Sequence, residues 1–258
     1  MDHHRRRRLL LSTTLLSLLC LAFISEVESA SFKIVNKCRR TIWPGLLSGA
    51  GTAPLPTTGF ALKSGKSRTV TIPKSWSGRI WGRSLCTQHA NNHTLSCVTG
   101  DCGSGKVECA GGGAEPPTTL AEFTLNGDQG LDFYDVSLVD GYNLPMLILP
   151  KGGKGGGCAA TGCLIDLNGA CPADLRVARG RTGRGVACKS ACEAFHDPSY
   201  AYDDKTSTYT CASADYIIVF CPPPYTSLKL LGSRKDGALL PLVNKTTMYI
   251  ASRHAHGR

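Results

Sequence analysis

The sequence predicts a mainly β fold, a flattened β-sandwich carrying small disulfide-rich lobes, and three observations predict it. Short runs rich in β-branched and aromatic residues alternate with turn formers, and the 258 residues include 29 Gly and 14 Pro. Apolar residues at helical spacing are absent over any useful length, apart from a short helical turn expected around Ser190–Phe195. Thirteen cysteines exceed cytosolic usage and point to an oxidising compartment.

Taken from the start, residues 1–29 read as a signal peptide. Arg5–Arg8 form a positive n-region, and Leu9–Ile24 form an apolar run too short for a typical spanning helix. Small residues near Ser29 and Ala30 offer the cut. The formal charge of +10 shrinks when it is located along the chain. Without residues 1–29, which hold four Arg and three acids, 25 Lys/Arg stand against 16 Asp/Glu, and 12 cysteines remain. The tail after Cys221 holds six cations and one acid, so residues 30–221 carry only 19 against 15. The basic clusters, Arg176–Arg184 and the tail, are Gly-rich or aromatic-poor, which excludes a nucleic-acid partner.

The expected strands are Phe32–Asn36, Thr41–Trp43, Thr69–Ile72, Arg79–Trp81, Leu120–Leu125, Asp132–Val139, Leu147–Leu149 and Tyr216–Phe220. Gly and Pro clusters at 54–56, 111–113, 116–117 and 152–157 separate them. Cys38 and Cys221 bracket the β block. Cys86, Cys97, Cys102 and Cys109 form one close group, and Cys158, Cys163, Cys171, Cys188, Cys192 and Cys211 a second. Zinc would need paired Cys-x-x-Cys spacing, which is lacking, so disulfides are expected and no metal or other cofactor. Two sequons, at Asn92 and Asn244, mark expected glycosylation sites.

Between Lys106 and Lys151 there is no cation but seven acids: Glu108, Glu115, Glu122, Asp128, Asp132, Asp135 and Asp140. Asn126-Gly127-Asp128-Gln129-Gly130 is a hairpin turn signal between two strand-like runs. A turn centred there sets Glu122 opposite Asp135, and like charges directly across a strand pair are destabilising. Either a cation sits with them or their repulsion is used. Two nearby carboxylates are the equipment of a glycoside hydrolase, one protonated as donor and one ionised. The structural alternative is a pair neutralised by a buried Arg.

Several long runs carry a family resemblance: Phe32-Lys33-Ile34-Val35-Asn36-Lys37-Cys38, Arg79-Ile80-Trp81-Gly82-Arg83 and Cys97-Val98-Thr99-Gly100-Asp101-Cys102. Pro116–Phe123, Asp132–Met146, Tyr200–Asp204 and Phe220-Cys221-Pro222 continue it. Over residues 31–223 the chain resembles the plant thaumatin-like proteins, the pathogenesis-related class of osmotin and zeamatin. The resemblance implies a thaumatin-like domain over residues 30–223. Within it a hairpin lobe would span about 84–119 and a truncated Cys-rich lobe about 158–199, with a C-terminal tail at 224–258. It implies an acidic cleft on Arg79, Glu122, Asp135, Asp140 and one of Asp203 or Asp204. The implied disulfides are Cys38–Cys221, Cys86–Cys97, Cys102–Cys109, Cys158–Cys211 and Cys171–Cys188. Cys163 and Cys192 match family positions whose partners are missing, and they would pair with each other, stay reduced or cross-link chains. Only His196–Ser199 stands where the family carries a longer Cys-rich segment, so one cleft wall is shortened. The tail would be a vacuolar address, an appendage or a by-product of that shortening.

The function expected from the resemblance is that of a secreted antifungal defence protein. It would be monomeric, located in the apoplast or the vacuole, and would bind fungal β-1,3-glucan or cell-surface components in its acidic cleft. The alternatives are a weak endo-β-1,3-glucanase using Glu122 and Asp135, and an inhibitor of fungal glycanases.

Overall fold

The computed structural model describes residues 29–89, 94–155, 157–164, 166–179, 184–189 and 208–223. Ser29, the last residue of the expected leader, is the first residue of β1. One sheet is built from β1 (Ser29–Asn36), β3 (Ser67–Pro73), β8 (Met146–Lys151), β9 (Thr161–Cys163) and β13 (Asp215–Phe220), in the order β3-β1-β13-β8-β9. All its neighbours are antiparallel except β1 and β13. The second contains β2 (Trp43–Ser48), β4 (Ser77–Gln88), β6 (Leu120–Thr124), β7 (Asp132–Ser137) and β12 (Tyr209–Cys211), in the order β12-β7-β6-β4-β2. β5 (Leu95–Thr99) extends the far end of β4, and β10 (Arg176–Arg179) pairs with β11 (Arg184–Cys188). Thr41 and Ile42 stay outside β2, Ile42 forming an isolated bridge with Leu62, and β7 stops before Leu138 and Val139 because the chain turns there toward Gly141.

Period-2 alternation explains why the sheets face each other. Phe32 and Ile34 of β1, Val70 and Ile72 of β3, and Tyr216, Ile218 and Phe220 of β13 point inward and are buried. From the other sheet come Leu46, Ile80, Ala121, Phe123 and Tyr134. Four rings join the layers: Phe32 lies 4.4 Å from Phe123, Phe123 5.2 Å from Tyr216, and Tyr134 5.1 Å from Tyr216. Each such pair adds about 0.5–1.5 kcal/mol beyond its buried area.

A buried carboxylate fixes the hairpin of β6 and β7. Asp132 accepts from the Tyr216 hydroxyl at 2.9 Å and from the Asn126 backbone N–H at 2.9 Å. The Tyr134 hydroxyl donates to the Ala159 carbonyl at 2.6 Å. Burial, with the Asp132 charge adding to it, pushes both tyrosine hydroxyls far above their ordinary range, so they remain donors.

The segment after β5 is clamped onto the second sheet by a buried Arg and an exposed Glu. Arg83, 1% exposed, donates to the carbonyls of Trp43 at 3.0 Å, Lys106 at 3.1 Å and Val107. Desolvation lowers its pKa, while Asp101 and Glu108 pull it back up. Glu108 receives bonds from the Thr57 hydroxyl and from the Thr58 hydroxyl at 2.8 Å each, and from the Gly59 N–H at 2.9 Å. Gly59 is required here, since a Cβ would stand 2.3 Å from the Val107 oxygen. A second small core holds Leu138, Tyr142, Cys163, Leu167, Cys171 and Cys188, and Tyr142 exchanges backbone bonds with Cys188 at 2.9 and 2.7 Å.

The structure contains the disulfides Cys38–Cys221, Cys86–Cys97, Cys102–Cys109, Cys158–Cys211 and Cys171–Cys188. The first closes 183 residues, and in the chain-entropy account a loop of that length contributes about 5 kcal/mol. Cys163 is buried. Cys192, the sequon asparagines Asn92 and Asn244, the expected turn at 190–195, residues 1–28 and the tail from 224 lie outside the described residues.

Two predictions follow from these clamps. Tyr216→Phe strips a buried carboxylate of one donor and should cost about 1–3 kcal/mol in denaturant unfolding; an unchanged midpoint would remove Asp132 from the account. Glu108 is pulled upward by burial but held below the usual carboxylate range by the bonds from Thr58, Thr57 and Gly59. A depressed folded-state pKa stabilises above the unfolded value and is lost below it. The Tm gap between wild type and Glu108→Gln should therefore be open at pH 6 and close as pH falls below about 4.5. A gap that widens in acid would contradict the assignment.

Candidate functional site

Directly paired residues on antiparallel strands point to the same side of a sheet. Leu47 of β2 pairs with Arg79 of β4, Arg79 with Glu122 of β6, and Glu122 with Asp135 of β7. These four residues form one row across the outer face of the second sheet. Their inward neighbours in the strands, Ile80, Ala121, Phe123 and Tyr134, belong to the core. The β6–β7 register is the one the hairpin arithmetic gives.

The row above is covered and the row itself is not. Trp81 and Leu120, paired one step along, are buried with Cys109 beneath the segment after β5. Gly45 makes this cover possible, because a Cβ there would stand 2.4 Å from the Trp81 ring. Beyond the cover the floor opens into a groove of about 470 Å³. Arg79, Glu122 and Asp135 line it together with Leu47, Phe133 and Thr208. All six are half-buried.

The cation stands between Leu47 and Glu122 rather than between the acids. Paired strands lie about 4.8 Å apart, so Arg79 is one strand from Glu122 and two from Asp135. Its guanidinium also reaches Asp140, 4.0 Å away, with the two side chains 43% and 39% exposed. Hence the alternative of a buried neutralising Arg does not describe Arg79; water screens the contact and keeps it weak. Asp140 lies in the turn after β7, where its carbonyl accepts from the Thr118 N–H at 2.9 Å, and it does not line the groove. Asp203 and Asp204 lie outside the described residues. Among the described residues no group of three or more His, Cys, Asp or Glu side chains could hold a metal ion.

Phe133 and Thr208 were missed by a reading centred on charge. Phe133 stands two residues before Asp135 on β7 and so projects from the same face, a period-2 signal present in the sequence. Thr208 comes to the groove just ahead of β12, which pairs with β7, and no local pattern announces that pairing. Chemically, the groove offers two acceptor carboxylates, a guanidinium, a hydroxyl and an aromatic surface. That set suits a polyhydroxylated ligand, with hydroxyls bound by charge-assisted hydrogen bonds and an apolar ring face packed on Phe133.

Comparison with known proteins agrees with the architecture. The Thaumatin family model matches residues 36–200. Thaumatin-like protein 1 of Arabidopsis thaliana is 47% identical over 231 residues, covering 76% of this chain and 87% of its own. Those 231 aligned positions exceed the 76% of 258 residues they cover here, so that relative carries residues this chain lacks. Pathogenesis-related thaumatin-like protein 3.5 of Cryptomeria japonica is 44% identical over 238 residues, covering 80% of this chain and 96% of its own. The solved structure of a thaumatin-like xylanase inhibitor is 25% identical, with a TM-score of 0.47, covering 74% of this chain and 99% of that one. The family model over residues 36–200 and the relatives from Arabidopsis thaliana and Cryptomeria japonica lead to one conclusion: the chain belongs to the thaumatin family.

Proposed function

We propose that this protein is a secreted plant defence protein that binds fungal β-1,3-glucan in the groove over β4, β6 and β7. The observation that carries the reading is the outward row Arg79–Glu122–Asp135 beside Phe133 in a groove of about 470 Å³. Glu122 and Asp135 accept sugar hydroxyls, Arg79 offsets part of their charge, and Phe133 supplies the stacking surface. The five disulfides fit an oxidising compartment, for which we take the apoplast, with the vacuole as the other destination.

Binding is favoured over efficient hydrolysis because the groove is open. Acid–base chemistry on a glycosidic bond benefits from excluded water and fixed positioning, and here all three charged groups are half-exposed. A second reading, slow endo-β-1,3-glucanase activity, rests on Glu122 and Asp135 being direct cross-strand partners. Their Cβ atoms are then about 4.5–5.5 Å apart, which keeps the two carboxyls within working range of one bond. In that reading Glu122 donates the proton and Asp135 is the ionised partner.

Sedimentation with insoluble β-1,3-glucan and reducing-sugar release from a soluble β-1,3-glucan test both readings. Wild type should co-sediment. Glu122→Gln and Phe133→Ala should each weaken binding roughly tenfold, the effect of losing about 1.4 kcal/mol. Sugar release that disappears in Glu122→Gln would establish the slow hydrolase. Undiminished glucan binding in both folded variants would remove the groove from the function.

A further inference from the structure

The acidic stretch has a basic counterpart. Residues 30–100 contain ten Lys/Arg and no Asp or Glu. Arg83 is consumed by the clamp under the segment after β5, and Arg79 belongs to the groove. Six of the other cations fall in two short loops, Lys37, Arg39 and Arg40 after β1, and Lys63, Lys66 and Arg68 entering β3.

The fold brings these two loops together and holds them. Asn36 is fully buried, and its side-chain amide donates to the Arg40 carbonyl at 2.9 Å and the Leu62 carbonyl at 2.8 Å, while its oxygen accepts from the Cys38 N–H at 2.8 Å. Across the gap, the Asn36 N–H donates to the Lys66 carbonyl at 2.9 Å and the Gly65 N–H to the Asn36 carbonyl at 2.8 Å. The Ser64 hydroxyl donates to the Cys38 carbonyl at 2.6 Å, and Cys38 is itself tied to Cys221. Arg68 lies over the Phe60 ring at 4.4 Å, so the ring beneath it is covered rather than presented. All six cations are exposed. The one described acid on β1 or its paired strands β3 and β13 is Asp215, at the opposite end of β13, where it accepts from the Ser31 N–H.

We propose that this basic platform binds a linear polyanionic polysaccharide, one bearing a carboxylate on successive sugars. The composition of the surface selects that class of partner. It presents no exposed aromatic side chain on which bases could stack, as single-stranded nucleic acid requires. It offers no large exposed apolar side chain to anchor in a bilayer; among the described residues, Val98 and Val139 are the exposed large hydrophobics, and neither belongs to these loops. It also lacks the apolar centre of a protein–protein contact. What it offers is a cluster of exposed cations on two loops whose backbones are tied together, which a chain of regularly spaced anions meets by releasing its counterions.

The platform and the groove act separately. The loop carrying Lys37–Arg40 leads into β2 at Trp43, and the groove begins at the other end of that strand, at Leu47–Gly49. The ends of β2 are roughly 16 Å apart, about twice the screening length at physiological salt.

Fully de-esterified polygalacturonate is the probe, with neutral dextran and phosphatidylserine vesicles as comparisons. Wild type should bind polygalacturonate, ignore dextran, and lose affinity steeply as salt rises. Lys37→Glu/Lys63→Glu/Lys66→Glu should weaken this at least tenfold. A control with the same change in net charge, Lys106→Glu/Lys151→Glu/Lys154→Glu, should weaken it far less. Equal losses in the two triple variants would overturn the proposal by showing that net charge alone acts. Absence of polygalacturonate binding, or vesicle binding in its place, would overturn it as well. β-1,3-Glucan binding by the first triple variant should equal that of wild type, which separates this outcome from any failure of the groove.

Discussion

The structure depends on the register of one hairpin. Asp132, buried between the sheets, accepts the Tyr216 hydroxyl from β13 and the Asn126 N–H from the turn, fixing where β7 begins relative to β6 and to the opposite sheet. A slip of β7 by one residue against β6 would turn Tyr134 out to water and drive Asp135 into the core. The aromatic contacts that Tyr134 makes with Tyr216 and Phe123 oppose that slip, and so does the cost of burying a carboxylate. The core and the groove floor are therefore two faces of the same pairing, and the unfavourable opposition of Glu122 and Asp135 is sustained by the packing behind it.

Charge is segregated along the chain and the fold preserves the segregation in space. Two acids of residues 107–150, Glu122 and Asp135, line the groove, and six cations of residues 30–100 lie in two loops at the other end of β2. Two arginines of this stretch lie outside those loops and have different fates. Arg83 is fully buried and spends its donors on carbonyls of the chain, which fixes the segment after β5 over Trp81 and Leu120. Arg79 remains half-exposed beside Glu122 and Asp140, where its charge is shared with solvent. The same residue type holds structure in one place and lines an open groove in the other, and burial makes the difference.

Much of the fold was legible because period-2 alternation and the turn at Asn126–Gly130 are local signals. The strands β1, β6, β7 and β13 and the opposition of Glu122 to Asp135 could be read directly. β9 and β12 are three residues each, too short to carry a pattern, and they form because longer strands offer an edge. β10 and β11 lie among Gly and Arg, so their pairing is visible only in three dimensions. The charged residues of the groove stand out as a cluster, whereas Phe133 has no charge to mark it and is one of two aromatic residues in β7. Arg83 looked like any other basic residue, because nothing local shows that four backbone carbonyls converge on it. The pairing of the loops at Lys37 and Lys63 through Asn36 depends on a contact across 26 residues and has no sequence signature.

A crystal structure of the protein with a β-1,3-linked glucan oligosaccharide bound tests the central claim most directly. A sugar ring packed on Phe133, with its hydroxyls hydrogen-bonded to Glu122 and Asp135, is the expected result. An oligosaccharide bound away from the outer face of β4, β6 and β7, with the groove filled only by water, would contradict it.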